Sequence, residues 1–182
     1  MVHGPAVHSK YPALDGDRLR LRPPSATDSD PLLAILLEPE VSKWWTEYTS
    51  ELVLTEMVQS DKHLVIEIGG KVAGAVAVYE NNEPEYRATA LHIFLGERWY
   101  GKRYGAEALA TVINFLVAQG HYRFTLDPNA NNAPAIRSYE RLGFARVGVA
   151  RDYQRMPDGE LNDALLMDLV MRDFPDGRVD WR

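Results

Sequence analysis

The sequence predicts an α/β protein: a mixed β-sheet with helices packed on both of its faces. Three observations carry that expectation. Apolar and alternating runs of strand length are interleaved with runs of helical periodicity, in the order strand, two helices, three strands, helix, strand, helix, strand. The 182 residues suffice for one domain with a sizeable core. The chain is 46% hydrophobic and 25% charged and has no cysteine, which argues against both a disordered segment and a small disulfide-stapled scaffold.

Residues 1–16 are punctuated by Pro and Gly without periodicity and are expected to form a flexible extension; 175–182 reads as a similar tail, leaving 17–174 as the domain. Arg18-Leu19-Arg20-Leu21-Arg22 alternates and is stopped by Pro23-Pro24, so it predicts a half-exposed strand with three arginines on a solvated face. Thr27 or Asp28 can cap a helix through Leu32, Leu33, Ile35, Leu36 and Leu37 that lasts until Pro39. The chain turns away over Val41 to Tyr48, and a second helix covers Ser50 to Ser60. His63 to Ile68, Gly69-Gly70 and Lys71 to Tyr79 read as strand, tight turn and hairpin partner. After the polar loop Asn81 to Glu85, Arg87 to Leu95 is the next strand. The loop Gly101 to Gly105 leads into a helix with Leu109, Val112, Ile113, Leu116 and Val117 on one face, closed by Gly120. Tyr122 to Asp127 is a strand, Asn132 to Leu142 a helix ended by Gly143, and Leu165 to Met171 the last strand.

The charge balance excludes function classes. Twenty Lys+Arg against 26 Asp+Glu gives a net charge of −6, which disfavours a nucleic-acid partner and suits a cationic substrate. No apolar run approaches the ~18–20 residues of a membrane span, and the N-terminal stretch lacks the apolar centre of a signal peptide, so a cytoplasmic location without a membrane partner is expected. The five histidines, His3, His8, His63, His92 and His121, show no ligand spacing, so no metal site is expected. Chemistry is left to carboxylates, imidazole, phenol and backbone groups.

Two stretches carry that chemistry. Leu91 to Leu109 runs from a strand through a glycine-containing loop into a helix N-terminus, where orphan N–H groups and the helix dipole favour an anion, and Lys102-Arg103 adds positive charge. Alone, it reads better as a plain strand-to-helix turn, since short glycine loops are common, and its spacing fits neither GxxxxGK[ST] nor GxGxxG. The second stretch, Asp127 to Phe144, contains Asn132-x-x-Ala-Ile-Arg-x-Tyr139-Glu-x-x-Gly-Phe144. Together they resemble the GNAT family, the acetyl-coenzyme A-dependent N-acyltransferases. The family's pyrophosphate loop, [RQ]xxGx[GA], falls with Tyr100 at its first position, Arg103 at the usual glycine and Gly105 at its last, so two positions depart from the pattern. The second motif is the more specific match.

The resemblance implies the GNAT fold, with a mostly antiparallel mixed sheet, and acetyl-CoA as cosubstrate with no metal. It implies that Ile93 and Leu95 offer backbone groups to the pantetheine arm, that Tyr100, Gly101, Lys102, Arg103, Tyr104 and Gly105 wrap the pyrophosphate, and that Asn132 contacts the coenzyme arm. Tyr139 would be the general acid for the departing thiolate; outside this motif it would read as a core aromatic at helical spacing from Ile136. Many relatives carry a glutamate base where Ala90 stands. His92 shares that strand face, and its imidazole makes it the candidate base. A histidine packed on a half-buried strand is the plain alternative, and Asp127 is the rival base or turn-forming residue.

Trp44-Trp45, in the otherwise polar stretch Ser42 to Glu51, is the candidate acceptor wall. With Asp127-Pro128 and Asn132 it is similar to aminoglycoside 6'-N-acetyltransferases, which implies antibiotic resistance as the role and a cationic small-molecule amine as partner. Glu80, Glu83, Glu85, Asp127 and Asp163 would supply the negative field. Two other classes compete: acetylation of a protein N-terminus, such as that of a ribosomal protein, and a non-catalytic coenzyme-binding module. The latter is suggested by Ala90 and Arg103 and opposed by Tyr139 and Asn132. A monomer or homodimer is expected.

Overall fold

The computed structural model describes residues 9–156 and 158–182. Its eight strands form one sheet in the order β1-β2-β3-β4-β5-β6-β8-β7. They are β1 (Leu14–Asp15), β2 (Arg20–Arg22), β3 (His63–Ile68), β4 (Lys71–Asn81), β5 (Ala88–Leu95), β6 (Arg123–Leu126), β7 (Ala145–Arg155) and β8 (Leu161–Val170). Every neighbouring pair is antiparallel except β5 and β6, which run parallel. The helices are α1 (Ser29–Leu36), α2 (Pro39–Ser42), α3 (Ser50–Leu52), α4 (Tyr104–Val117) and α5 (Ala133–Leu142), with a π-helical turn, Val53–Val58, after α3.

Two apolar clusters sandwich the sheet, as the helix periodicity requires. On one face Leu109, Val112, Ile113 and Leu116 of α4 and Ile136 and Leu142 of α5 pack with Leu91, Phe124 and Met167. On the other, Leu32 and Ile35 of α1 and Val53 and Met57 meet Val65, Ala75 and Phe94. The strand His63–Ile68 has the expected bounds, and the helix expected from Asn132 begins at Ala133, with Asn132 as its cap, and ends at Leu142 as expected.

Four expectations change. The alternation Ala145 to Arg155 is a full edge strand, and the last strand begins at Leu161, so the sheet gains a long hairpin. Tyr11 is buried against Phe115, its hydroxyl donates to Glu80, and β1 pairs with β2; residues 11–16 are therefore packed rather than loose, while 1–8 lie outside the described residues. The tail is also tied down: Val179 is buried, and the Asn114 side chain bonds both its N–H and its C=O. The arginine face is not simply solvated. Arg22 grips the buried Asp28 through two 2.8 Å hydrogen bonds and also reaches Glu67, while Arg18 binds the buried Glu107. Burial works to raise the Asp28 pKa, yet Arg22 and the Ser25 donors hold it below the usual carboxylate range.

Candidate active site

The parallel strands β5 and β6 stay paired only at Thr89↔Phe124 and Ala90↔Thr125. Beyond that point they part, and a cavity of about 460 Å³ opens between them. Leu91, His92 and Ile93 line it from β5; Leu126, Asp127, Pro128 and Asn129 line it from the end of β6. Asn132 and Tyr139 enter from α5, Trp44 and Trp45 from the segment after α2, and Tyr153 and Gln154 from β7. Topology thus gathers His92, Asp127, Tyr139, Asn132, Trp44 and Trp45, which the sequence singled out, around one space.

Two of these groups form a row with Tyr153. His92 Nε2 stands 3.5 Å from Asp127 Oδ1, and the Tyr153 hydroxyl donates to Asp127 Oδ2 at 2.8 Å. That hydrogen bond raises the Tyr153 pKa, so the phenol remains a donor and fixes the carboxylate. The other side of His92 rests on the Tyr79 ring, 5.1 Å between centroids. His63, Ala77 and His92 are in register across β3, β4 and β5, so both imidazoles share one sheet face with only a methyl group between them. Burial pushes the His63 pKa down to about 4, with His92 and Lys62 adding to the fall, and its Nδ1 has no hydrogen-bond partner. His63 is therefore neutral at neutral pH.

Tyr139 sits one turn before the end of α5, half-buried, its ring 6.2 Å from that of Phe144. Gly143 at φ +106° ends the helix, and Asn132 starts it by accepting a hydrogen bond from the Ala135 N–H. Burial, followed by the negative charge of Asp127, raises the Tyr139 phenol above its ordinary range, so it stays protonated through neutral pH. Trp45 packs edge-on to Phe94 at 5.3 Å, which leaves Trp44 and the remaining face of Trp45 to wall the cavity.

The candidate coenzyme loop lies over β5. A Cβ on Gly105 would stand 3.4 Å from Leu95 Cδ1 and 3.9 Å from Ile93 Cδ1, so the first turn of α4 rides close to that strand. Gly101 has φ +71° and Arg103 φ +65°. The left-handed backbone that favours glycine is thus present at Arg103, where the family pattern has glycine. Tyr104 stacks edge-on against Trp99, and the Lys102 ammonium bonds the Arg98 carbonyl. The Tyr100 pKa is pushed up to about 12 by burial and by Glu38, Glu97 and Glu40.

The acidic cup shrinks. Glu83 is exposed on the loop after β4 and does not line the cavity. Asp163 is turned away because its carboxylate accepts the Asp152 N–H at a bulge of β7, where Asp152 has φ +51°. Glu80 is held by Tyr11, Lys10 and His121. Asp127 is the one carboxylate among the described cavity-lining residues; Glu56 adds negative charge beside the Tyr48 and Tyr79 phenols, whose pKa values rise mainly through burial. Tyr153, Gln154, Tyr79 and Glu56 were missed from sequence. The Asp158-Gly159 turn just ahead of the strand at Leu161 was a hint of the hairpin whose first strand carries the first two. Among the described residues, no three His, Asp or Glu side chains converge as a metal site, and no helix is long and apolar enough to cross a membrane.

The profile of the acetyltransferase (GNAT) family matches residues 30–144, and the chain belongs to that family. It is accordingly an acetyl-transferring enzyme, an N-acetyltransferase of a family that uses acetyl-CoA. It is 26% identical over 172 residues to the uncharacterized N-acetyltransferase p20 of Bacillus licheniformis, covering 87% of this chain and 96% of that one. It is 31% identical over 94 residues to the [ribosomal protein uS5]-alanine N-acetyltransferase of Escherichia coli K12, covering 51% of this chain and 48% of that one. Mycobacterium smegmatis RimJ in complex with CoA-disulfide has the same fold, with a TM-score of 0.77, 18% identity, and coverage of 94% of this chain and 97% of that one.

Proposed function

We propose that the chain transfers the acetyl group of acetyl-CoA directly to a primary amine of a cationic small molecule, an aminoglycoside-type amino sugar, with the chemistry centred on His92, Asp127 and Tyr139. The observation that carries this reading is the His92–Asp127–Tyr153 row facing Tyr139 across a cavity walled by two tryptophans. Beyond Ala90, the edge of β5 facing β6 has no strand partner among the described residues, which leaves the Leu91 to Leu95 backbone available to the pantetheine amides, as if to an added strand. The loop Tyr100 to Gly105 and the first-turn amides of α4 take the pyrophosphate.

With the thioester carbonyl near Tyr139, the amine nitrogen attacks from the His92 side. The N–C bond forms, His92 accepts the amine proton, and Asp127 orients the ring and balances its charge. As the C–S bond breaks, the Tyr139 hydroxyl donates to the thiolate. Because its pKa is raised, the phenol is protonated at neutral pH and can donate a hydrogen bond to the charge that develops on the departing sulfur. Aromatic faces and Asp127 hold a second ammonium of a polyamine.

A second reading, acetylation of a protein N-terminal alanine, is favoured by the likeness to the uS5-alanine enzyme. A radiolabelled acetyl-CoA transfer assay over aminoglycosides, polyamines and alanine-initiated peptides separates the two. Saturable labelling of an amino sugar, lost in Trp45→Ala, is expected. Labelling confined to the peptides would replace the small-molecule acceptor by a protein.

A further inference from the structure

Arg103 occupies a left-handed conformation that a side chain disfavours, and such a residue persists only where its surroundings impose it. The neighbouring contacts show what imposes it. Arg18, 84 residues upstream, donates from Nη1 to the Lys102 carbonyl at 3.2 Å. Its Nε donates to Glu107 Oε2 at 2.7 Å, and its backbone N–H donates to Glu107 Oε1 at 2.6 Å. Glu107 lies fully buried on α4, so this anchor belongs to the helix that the loop feeds. The guanidinium is also sandwiched between the rings of Tyr104, at 4.5 Å, and Trp181, at 4.3 Å. Four points thus fix Arg18: the α4 carboxylate, the loop carbonyl, a loop aromatic and the C-terminal tail.

We propose that Arg18 is a positioning residue for acetyl-CoA: by holding the Lys102 carbonyl it sets the Lys102–Arg103 peptide so that the Arg103 N–H faces the pyrophosphate. This rests on the reading of Tyr100 to Gly105 as the pyrophosphate loop. No described peptide is cis, and in a planar trans peptide the N–H points opposite to the C=O. With the carbonyl drawn toward Arg18, the amide is turned to the opposite side of the loop. Glycine at this position would adopt the same backbone without help. Here arginine stands instead, and the clamp supplies the conformation from outside the loop.

Truncation of Arg18 would leave Glu107 buried without its partner and risk unfolding. Arg18→Lys is the cleaner variant: it keeps a positive charge for Glu107 while losing the planar fork and the ring sandwich. Calorimetric titration with acetyl-CoA, with thermal unfolding recorded on the same samples, tests the proposal. The expected result is a Kd about tenfold higher for Arg18→Lys, the scale of one lost charge-assisted hydrogen bond, with the acceptor KM unchanged. In the Arg103→Gly background the same substitution should change Kd by less than about twofold, because glycine needs no clamp. An unaltered Kd in Arg18→Lys, when Gly105→Asp abolishes binding, overturns the clamp and leaves the loop reading intact. Unaltered binding in Gly105→Asp overturns the loop reading itself. A loss in Arg18→Lys that is equally large in the Arg103→Gly background overturns the proposal, since Arg18 would then act through stability alone.

Discussion

Replacing His63 with leucine should flatten the acid side of the stability profile. His63 is buried on β3, in register with Ala77 and His92, and its pKa falls from 6.5 to about 4 through burial first and the neighbouring His92 and Lys62 second. As pH drops through 6.5 the unfolded chain binds a proton at this histidine, while the folded protein does so only near pH 4. Between those values the unfolded state holds more protons, so stability falls as pH falls, by about 3 kcal/mol in total from this group. Above pH 6.5 the contribution is fully present. Urea unfolding followed by circular dichroism, at steps from pH 7.5 to 4, measures this directly. His63→Leu removes the proton site together with the orphaned Nδ1, and its stability should decline less steeply than the wild type's over that window. Parallel pH profiles for the two proteins would refute the linkage.

Two further outcomes follow from the helix that carries the second motif. Tyr139→Phe keeps the packing against Phe144 and loses the proton donor; kcat should fall by ~10²–10⁴ in steady-state assays, with the acetyl-CoA Kd from calorimetry changing little. In Gly143→Ala the new Cβ would lie 2.6 Å from Phe174 Cζ on a backbone with φ +106°, so a loss of about 2 kcal/mol, or roughly 4–8 °C in Tm by scanning calorimetry, is expected.

The sequence made the helices and inner strands legible because their patterns are local. The Gly69-Gly70 hairpin, the apolar face of α4 and the Asn132 cap each combine a periodic run with a distinct stop or start signal. β7 was illegible because it is an edge strand: Val147, Val149 and Tyr153 are more than half exposed, so the usual in-and-out contrast is missing. Losing that strand also hid Tyr153, which reaches Asp127 through the irregular pairing between Ala150 and Gln154. His92, Asp127 and Tyr139, which the structure brings to one cavity, were singled out through motif and strand parity. Which acids face the cavity was decided by tertiary contacts instead: Asp163 resembles Asp127 in sequence, but a backbone amide on the neighbouring strand claims its carboxylate. Arg18 and Glu107 were invisible for the same reason, since nothing local marks two charges 89 residues apart as an ion pair with its carboxylate buried.

In the proposed reaction the His92–Asp127 pair activates the acceptor amine in this cavity. The most direct test of that role is the pH dependence of kcat and kcat/KM for the wild type, His92→Ala and Asp127→Asn with the amine that the transfer assay identifies. In His92→Ala kcat should fall by ~10²–10⁴ at neutral pH and be partly regained as pH rises. For Asp127→Asn kcat should fall less than in His92→Ala, through the lost charge balance on the imidazole, while the acceptor KM rises and depends less on salt. Wild-type kcat and an unaltered acid limb in His92→Ala would contradict that role and move the proton acceptor elsewhere.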